Sequence, residues 1–327
     1  MKKTLLLLVM LFTMLTNVVA QSNLVATLSH EGTVKTFTSS SAFKDAYEEA
    51  VDGDVITLSS GVFQGVDTFK KYLTVRGAGM TLEDNPTIIR GTVYLSHEIE
   101  QNLPVVFEGL RLSISCINRV PLNTLQVIKC NVLSFSESLE LKNAKFVNCV
   151  LGRESYQNTS SYSIVPGKDP QIINSLLINV YLNARNATIT NCTIINDEYQ
   201  GLQKSTVSNS ILKLIQKEEL RDCLLTNCYI CNLDGDYEEF IRKYEVNSIG
   251  SSFTGVEDPF VEGSATYELK DEYKNSWLGT DGTQVGMHGG AMPFNATPTN
   301  PQISKFNVAS KTTADGKLSV DIEVKGN

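Results

Sequence analysis

Residues 186–195 read NATITNCTII, an asparagine and a cysteine side by side among β-branched residues, with no glycine or proline to mark a bend. The same device recurs as FVNCVL (146–151), IINSLL (172–177), VSNSIL (207–212) and LTNCYI (225–230). Taking the asparagine as reference, it stands at Asn148, Asn174, Asn191, Asn209, Asn227 and Asn247, a period near eighteen residues. A repeat of that length is the signature of stacked coils, each burying its apolar side only against its neighbours.

Two apolar columns flank the pair. Phe146, Ile172, Ile189, Val207 and Leu225 precede it; Leu151, Leu177, Ile194, Leu212 and Ile230 follow. Positions five apart on one continuous strand face opposite sides of a sheet. For both columns to point inward the chain must turn between them, and asparagine is the non-glycine residue that best tolerates the left-handed backbone of a tight bend. Glycine should serve equally, and upstream Gly77, Gly91 and Gly109 stand at the corresponding places, while Lys129 occupies one bend. Ten coils are counted in this way, a rod of roughly 45–50 Å at about 4.8 Å per strand. The asparagine amides are expected to bond along the stack as ladders. The cysteines and serines that follow them are expected in the core, as small apolar packers.

The two ends are of different composition. Residues 1–20 begin with Lys2 and Lys3, continue through TLLLLVMLFTMLTNVV and end at Ala20, the pattern of a secretory signal peptide. Next, SSSAFKDAYEEAVDGD sets Phe43, Ala46, Tyr47, Ala50 and Val51 on one helical face, a helical cap for the open end of the rod. Residues 291–302 form a linker with three prolines, and 303–327 read as a C-terminal β-hairpin segment. The capped helix of coils thus covers 21–290.

The stretch AVDGDVITLSSGVFQGVDTFKKYLTVRGAG (50–79) resembles the leading coil of secreted right-handed parallel β-helix proteins of the pectin-lyase-like superfamily. DPFVEGSATYELKDEYKNSWLGTDGTQVGMHGG (258–290) resembles their closing coil. With the repeats, the likeness spans about residues 34–290, and the following strand module resembles uncharacterised exported proteins of Bacteroidota. It implies an all-β, right-handed parallel β-helix. Its motifs are turns and core residues, so it carries over no catalytic site.

Composition narrows the partners. A net charge of −8 and the absence of any cationic cluster argue against nucleic acid, and no second apolar run could span a membrane. Six positions past each core Cys or Ser lies a polar stripe that includes Glu198, Gln216 and Asp234, with Lys217 beside it. Glu198 and Asp234 are two coils apart, about 9–10 Å, marginal for the carboxyl pair of a glycoside hydrolase. Lys217 between them could act as the base of a lyase, with Ca2+ acidifying the proton beside a uronate carboxylate. The 26-residue step from Asn148 to Asn174 leaves room for a loop whose Arg153, Tyr156, Tyr162 and Lys168 could stack on and bond a sugar chain. His30, His97 and His288 are scattered.

The sequence therefore predicts an exported β-helix protein, secreted, periplasmic or at the cell surface. It would bind glycan or adhere without catalysis, need no cofactor, and offer its terminal strands to a partner. The alternative is a polysaccharide lyase, or less readily a hydrolase, acting on an acidic polysaccharide through Glu198, Lys217 and Asp234.

Overall fold

The computed structural model describes residues 24–81, 85–96, 103–116, 125–135, 143–152, 163–164, 167–181, 184–196, 202–214, 220–231, 237–299, 302–308, 315–317 and 320–325. The expected signal peptide lies outside the described residues.

The chain winds into a right-handed parallel β-helix, the hand that parallel crossovers take. Its front sheet has 12 strands and its back sheet 10. Two front strands, Val25–His30 and Thr33–Thr38, pair antiparallel at the N-terminal edge; the other ten run parallel from Val55–Leu58 to Asn247–Ile249. Each coil supplies one front strand, a bend and one back strand. Thus Thr188–Thr190 leads through Asn191 and Cys192 into Thr193–Asn196.

The bends behave as the sequence requires. Asn148, Asn174, Asn191, Asn209 and Asn227 all hold φ between 45° and 53°, and Lys129 sits at 51°. The columns on either side, Phe146 to Leu225 and Leu151 to Ile230, are buried and form one continuous core. A second left-handed column, not expected from the sequence, turns each coil into its front strand: Asn143, Asp169, Asn186, Lys204, Asp222 and Glu245. Each lies five residues before the bend that follows. The regular coils, bent twice in this way, are fewer than the ten counted from the repeat.

Two rungs differ from expectation. Asn247 is paired with Leu224 as the first residue of its strand, and the bend falls at Gly250, stacked over Asn227, followed by Ser251. Gly91 is no bend between sheets: it lies inside the nine-residue back strand Thr87–Leu95, at an interruption of the pairing with the next coil. The rung it was thought to mark is replaced by one nearer the N-terminus, Val55–Leu58 to Gly61–Gln64.

The core position after each bend alternates: Cys149, Ser175, Cys192, Ser210, Cys228, Ser251. Hydrogen bonding explains the alternation. The Cys149 N–H donates to Ser175 Oγ at 3.0 Å, Cys192 N–H to Ser210 Oγ at 3.0 Å, and Cys228 N–H to Ser251 Oγ at 2.9 Å. Buried amides need an acceptor, and sulfur is a weak one, so each cysteine is served by a serine one coil on. The thiols in turn donate to carbonyls of the preceding coil, Cys149 to Val127 O and Cys228 to Val207 O. No amide of the asparagine column bonds to another among the described residues; Asn174 and Asn209 find partners in a different segment, described below.

The helix Ala42–Glu49 plugs the N-terminal end with Ala42, Phe43 and Ala46. Val51, expected on the same face, is beyond its end and 51% exposed. Lys71 Nζ bonds the carbonyls of Tyr47, Glu48 and Ala50, satisfying the helix terminus. The antiparallel pair beside it is pinned by His30 Nδ1, 2.7 Å from Asp54 Oδ1. At the other end of the chain, Gln302–Val308 and Val320–Lys325 pair antiparallel, as the alternation of the C-terminal segment indicated.

Asparagine at a left-handed bend is worth about 1 kcal/mol over alanine, and Asn148 Oδ1 is buried without a partner. Asn148→Ala is therefore expected to lower stability by roughly that amount while Asn148→Gly leaves it nearly unchanged, as read from urea unfolding midpoints. The Asp54 hydrogen bond raises the His30 pKa above its usual value, with Glu31 adding to it. The stabilisation is then complete below about pH 6.5 and disappears as pH rises through the raised value. Urea midpoints across that range should fall as pH rises, and flatten in Asp54→Asn.

Candidate functional site

Which surfaces are free depends on what happens after the last coil. Residues 254–299 do not add a closing coil, as the resemblance implied, but run back along the rod. Their apolar residues cover the outer face of the back sheet. Leu176, Ile178, Ile195, Ile211 and Cys231 point outward there and meet Phe260, Leu269, Trp277, Val285 and Met287 in a second core. Trp277 stacks at 4.5 Å on Tyr229 and is 7% exposed, so it packs this flank rather than a glycan.

The same strap lies over the asparagine bends. Asn209 Oδ1 accepts from Thr280 N at 2.9 Å, and Asn174 Nδ2 donates to the carbonyls of Met287 and Gly289 at 3.1 and 2.6 Å. At Gly290 (φ 77°) a Cβ would land on Asn191 Nδ2, so only glycine permits the approach. Further back, Lys129 Nζ donates to Thr297 O at 2.6 Å, Pro298 rests against Gly79 and Gly109, and Thr299 Oγ1 donates to buried Glu108, itself held by Arg76 Nε at 3.1 Å. His288 serves the strap too, its Nε2 lying 2.8 Å from Thr266 O.

The front sheet has no such cover. Outward from its strands, in one column, project Lys145, Gln171, Thr188, Thr206 and Asn247, all exposed, with half-buried Leu224 among them; beside them run buried Val147, half-buried Ile173, Thr190, Ser208 and Thr226, and exposed Ile249. Strand register aligns Thr188 with Thr206 and Thr190 with Ser208. Ser208 Oγ donates to Thr190 Oγ1 at 3.2 Å, which orders the hydroxyls along the rod. The result is a face on which hydroxyl and amide groups predominate from Gln171 to Ser208, with rows about 4.8 Å apart, Lys145 its one charge in this span, and apolar Leu224 and Ile249 toward the C-terminal end.

Sequence reasoning looked elsewhere. Glu198, Lys217 and Asp234 lie outside the described residues, as do Arg153, Tyr156, Tyr162 and His97. For Lys168 only the backbone is described, in the short strand Gly167–Lys168 paired with Ala184–Arg185. The front face was legible in the opening stretch itself, where Thr188 and Thr190 flank the inward Ile189, but attention went to the bend. Among the described residues no three His, Cys, Asp or Glu side chains gather as a metal site, and no helix is long and apolar enough to cross a membrane.

The cysteines do no surface chemistry. All six whose side chains are described are free and buried. Burial pushes Cys149, Cys192 and Cys231 up to about 12 and Cys228 to about 11, leaving each as a neutral thiol. Iodoacetamide at neutral pH should leave these six unmodified in the native protein and alkylate all of them after denaturation, as read by mass spectrometry of peptides.

Compared with known proteins, the chain matches no family model, no curated protein and no solved structure. Of the resemblance read in the sequence, the structure bears out the parallel β-solenoid alone.

Proposed function

We propose that this is an exported, non-catalytic β-helix protein that binds glycan, in the manner of an adhesin or a cell-surface or secreted binding protein. The observation that carries the reading is the contrast between the two long faces. From Leu176 to Cys231 one is covered by the chain's own strap over an apolar core, and the other is open and furnished mainly with hydroxyls and amides.

A single hydroxyl-to-hydroxyl bond exchanged for water contributes about 1 kcal/mol or less. A flat polar face without a pocket therefore gains affinity by repetition, one contact per rung along an extended chain that itself repeats. Polysaccharides present such a chain, and their hydroxyls both donate and accept as threonine, serine and amide groups do. Export is supported by the first twenty residues and suits an extracellular ligand.

The test is affinity electrophoresis of the mature protein through gels containing a panel of neutral and acidic polysaccharides. Retardation on at least one is expected, with loss of about tenfold or more in a Thr188→Glu, Thr206→Glu double variant that plants repelling, strongly hydrated groups on the face. Retardation on none would overturn the reading. So would release of unsaturated uronates or new reducing ends, which would establish an enzyme.

A further inference from the structure

The strap does not cover the whole back sheet. Near the N-terminal end the outer face of that sheet stays open over the strands Gly61–Gln64, Thr87–Leu95 and Leu110–Cys116, and its side chains differ in kind from those of the front face. Arg90 is exposed, Arg111 half-buried, and Tyr94 is 41% exposed; Gln64, Thr92 and Ser113 fill the places between. Neither arginine has an ion-pair partner among the described residues, in a chain whose net charge is −8.

Register brings these groups together. Gln64 pairs with Arg90, Ile88 with Arg111, and Thr92 with Ser113. Arg90, two residues on from Ile88, is thus a diagonal neighbour of Arg111, about 7–8 Å away between Cα atoms. That separation lets two guanidinium groups close on one anionic group from two sides.

Between Arg90 and Tyr94 the strand is interrupted at Gly91 (φ 84°), where nothing lies within 4 Å of the place a Cβ would take. Across the interruption that holds this left-handed glycine the pairing shifts by two residues, and such bulges re-aim the side chains on either side. Both Arg90 and Tyr94 are left on the open face, and the bulge between them brings them closer along the strand than the roughly 13 Å that four extended residues span.

We propose that Arg90, Arg111 and Tyr94 form a binding subsite for an anionic sugar unit of a polysaccharide: the arginines take its carboxylate or sulfate, and a neighbouring ring stacks on Tyr94. The chemistry of each group leads there. Arginine holds planar oxyanions through paired N–H donors, and an exposed tyrosine offers an apolar face with a polar tip. Two arginines with no ion pair among the described residues are too few for a nucleic-acid backbone, which needs a track of cations, but they suffice for single charges spaced along a sugar chain. The inference rests on the glycan reading above and adds the charge of the ligand. It also places the contact on a surface separate from the front face.

Affinity electrophoresis distinguishes the two. The wild-type chain and an Arg90→Ala, Arg111→Ala variant are run through gels holding a polyuronate, a sulfated galactan, a neutral glucan or single-stranded DNA, at low and high salt. The wild type should be retarded more by the uronate or sulfated gel than by the neutral one, and less as salt rises. The double variant should lose about a hundredfold in affinity there, about tenfold for each charge-assisted contact, with no change on the neutral glucan. Arg111→Lys, which keeps the charge but not the paired donors, should fall between, and Tyr94→Ala should weaken binding without altering its salt dependence. Which of the uronate and the sulfated polymer responds names the anion. Retention on the uronate or sulfated gel that the double variant leaves intact would overturn this subsite and leave the glycan reading standing. Equal retention on DNA would overturn it as a nonspecific anion patch. Retention on no polysaccharide at all would overturn both.

Discussion

Everything in this protein depends on a backbone that enters the left-handed region twice per coil, five residues apart. Between the two bends lies a three-residue strand that shows one side chain to the core and two to the outside. The residue after each bend is turned inward with little room, which is why those positions hold Ala144, Ala187, Ser205 and Cys223 at one corner and the Cys/Ser series at the other. Left-handed backbone costs an ordinary residue about 1–2 kcal/mol, so the polar bends are tolerable only because the flanking β-branched residues gain much more by burial. A buried side chain of Ile, Val, Leu or Phe contributes about 1.5–3 kcal/mol, and each of these coils has at least two.

The strap follows from the same constraint. A column of asparagines turned outward at successive bends presents stacked amides that cannot satisfy one another, and Asn148 and Asn191 each keep a buried carbonyl oxygen without a partner. Residues 280–289 supply partners to Asn174 and Asn209, and the strap comes close enough because Gly279, Gly286 and Gly290 carry no side chain to strike Asn209, Ile211 and Asn191. Sealing the amides and covering the apolar back sheet are thus one event. The front sheet can stay open because most of its exposed outward residues, Lys145, Gln171, Thr188, Thr206 and Asn247, are polar and satisfied by water.

How much of this could be read in the sequence depends on the range of the interaction. The bends and both inward columns were legible from Asn148 to Asn227, because local backbone preference and alternation act within six residues. The second bend column was not. Asn143, Asp169, Asn186, Lys204, Asp222 and Glu245 have no residue type in common, and only the backbone reveals what they share. At Gly250 a glycine took the bend while a nearby asparagine drew the reading to Asn247; at Gly91 the reverse happened, a left-handed glycine serving as a bulge within one strand. Glycine reports permission for φ above zero, not the purpose to which it is put. The strap was misread as a coil since its contacts with Asn174 and Asn209 join residues 71 to 115 positions apart, beyond any pattern along the chain. The candidate catalytic residues, taken from a column six places past the core Cys or Ser, fall on the side of the coil outside the described residues.

That long-range strap also decides where a ligand can be met. It returns the chain from the last coil to Thr299, beside Glu108 in the third front strand, and so leaves two kinds of surface of opposite character on one rod. Along the front, the groups are neutral and repeat with the coils. On the back, at the N-terminal end, Arg90, Arg111 and Tyr94 are gathered once and repeat nowhere. A repeating face gains by length and is indifferent to register, since a chain slid by one rung meets the same groups. A single charged cluster does the opposite: it contributes at one place and selects for a particular sugar. Joined on a rigid scaffold, the first would supply much of the affinity for a long glycan and the second its selectivity, a division available to a solenoid because its rungs differ only in the side chains that the core does not need.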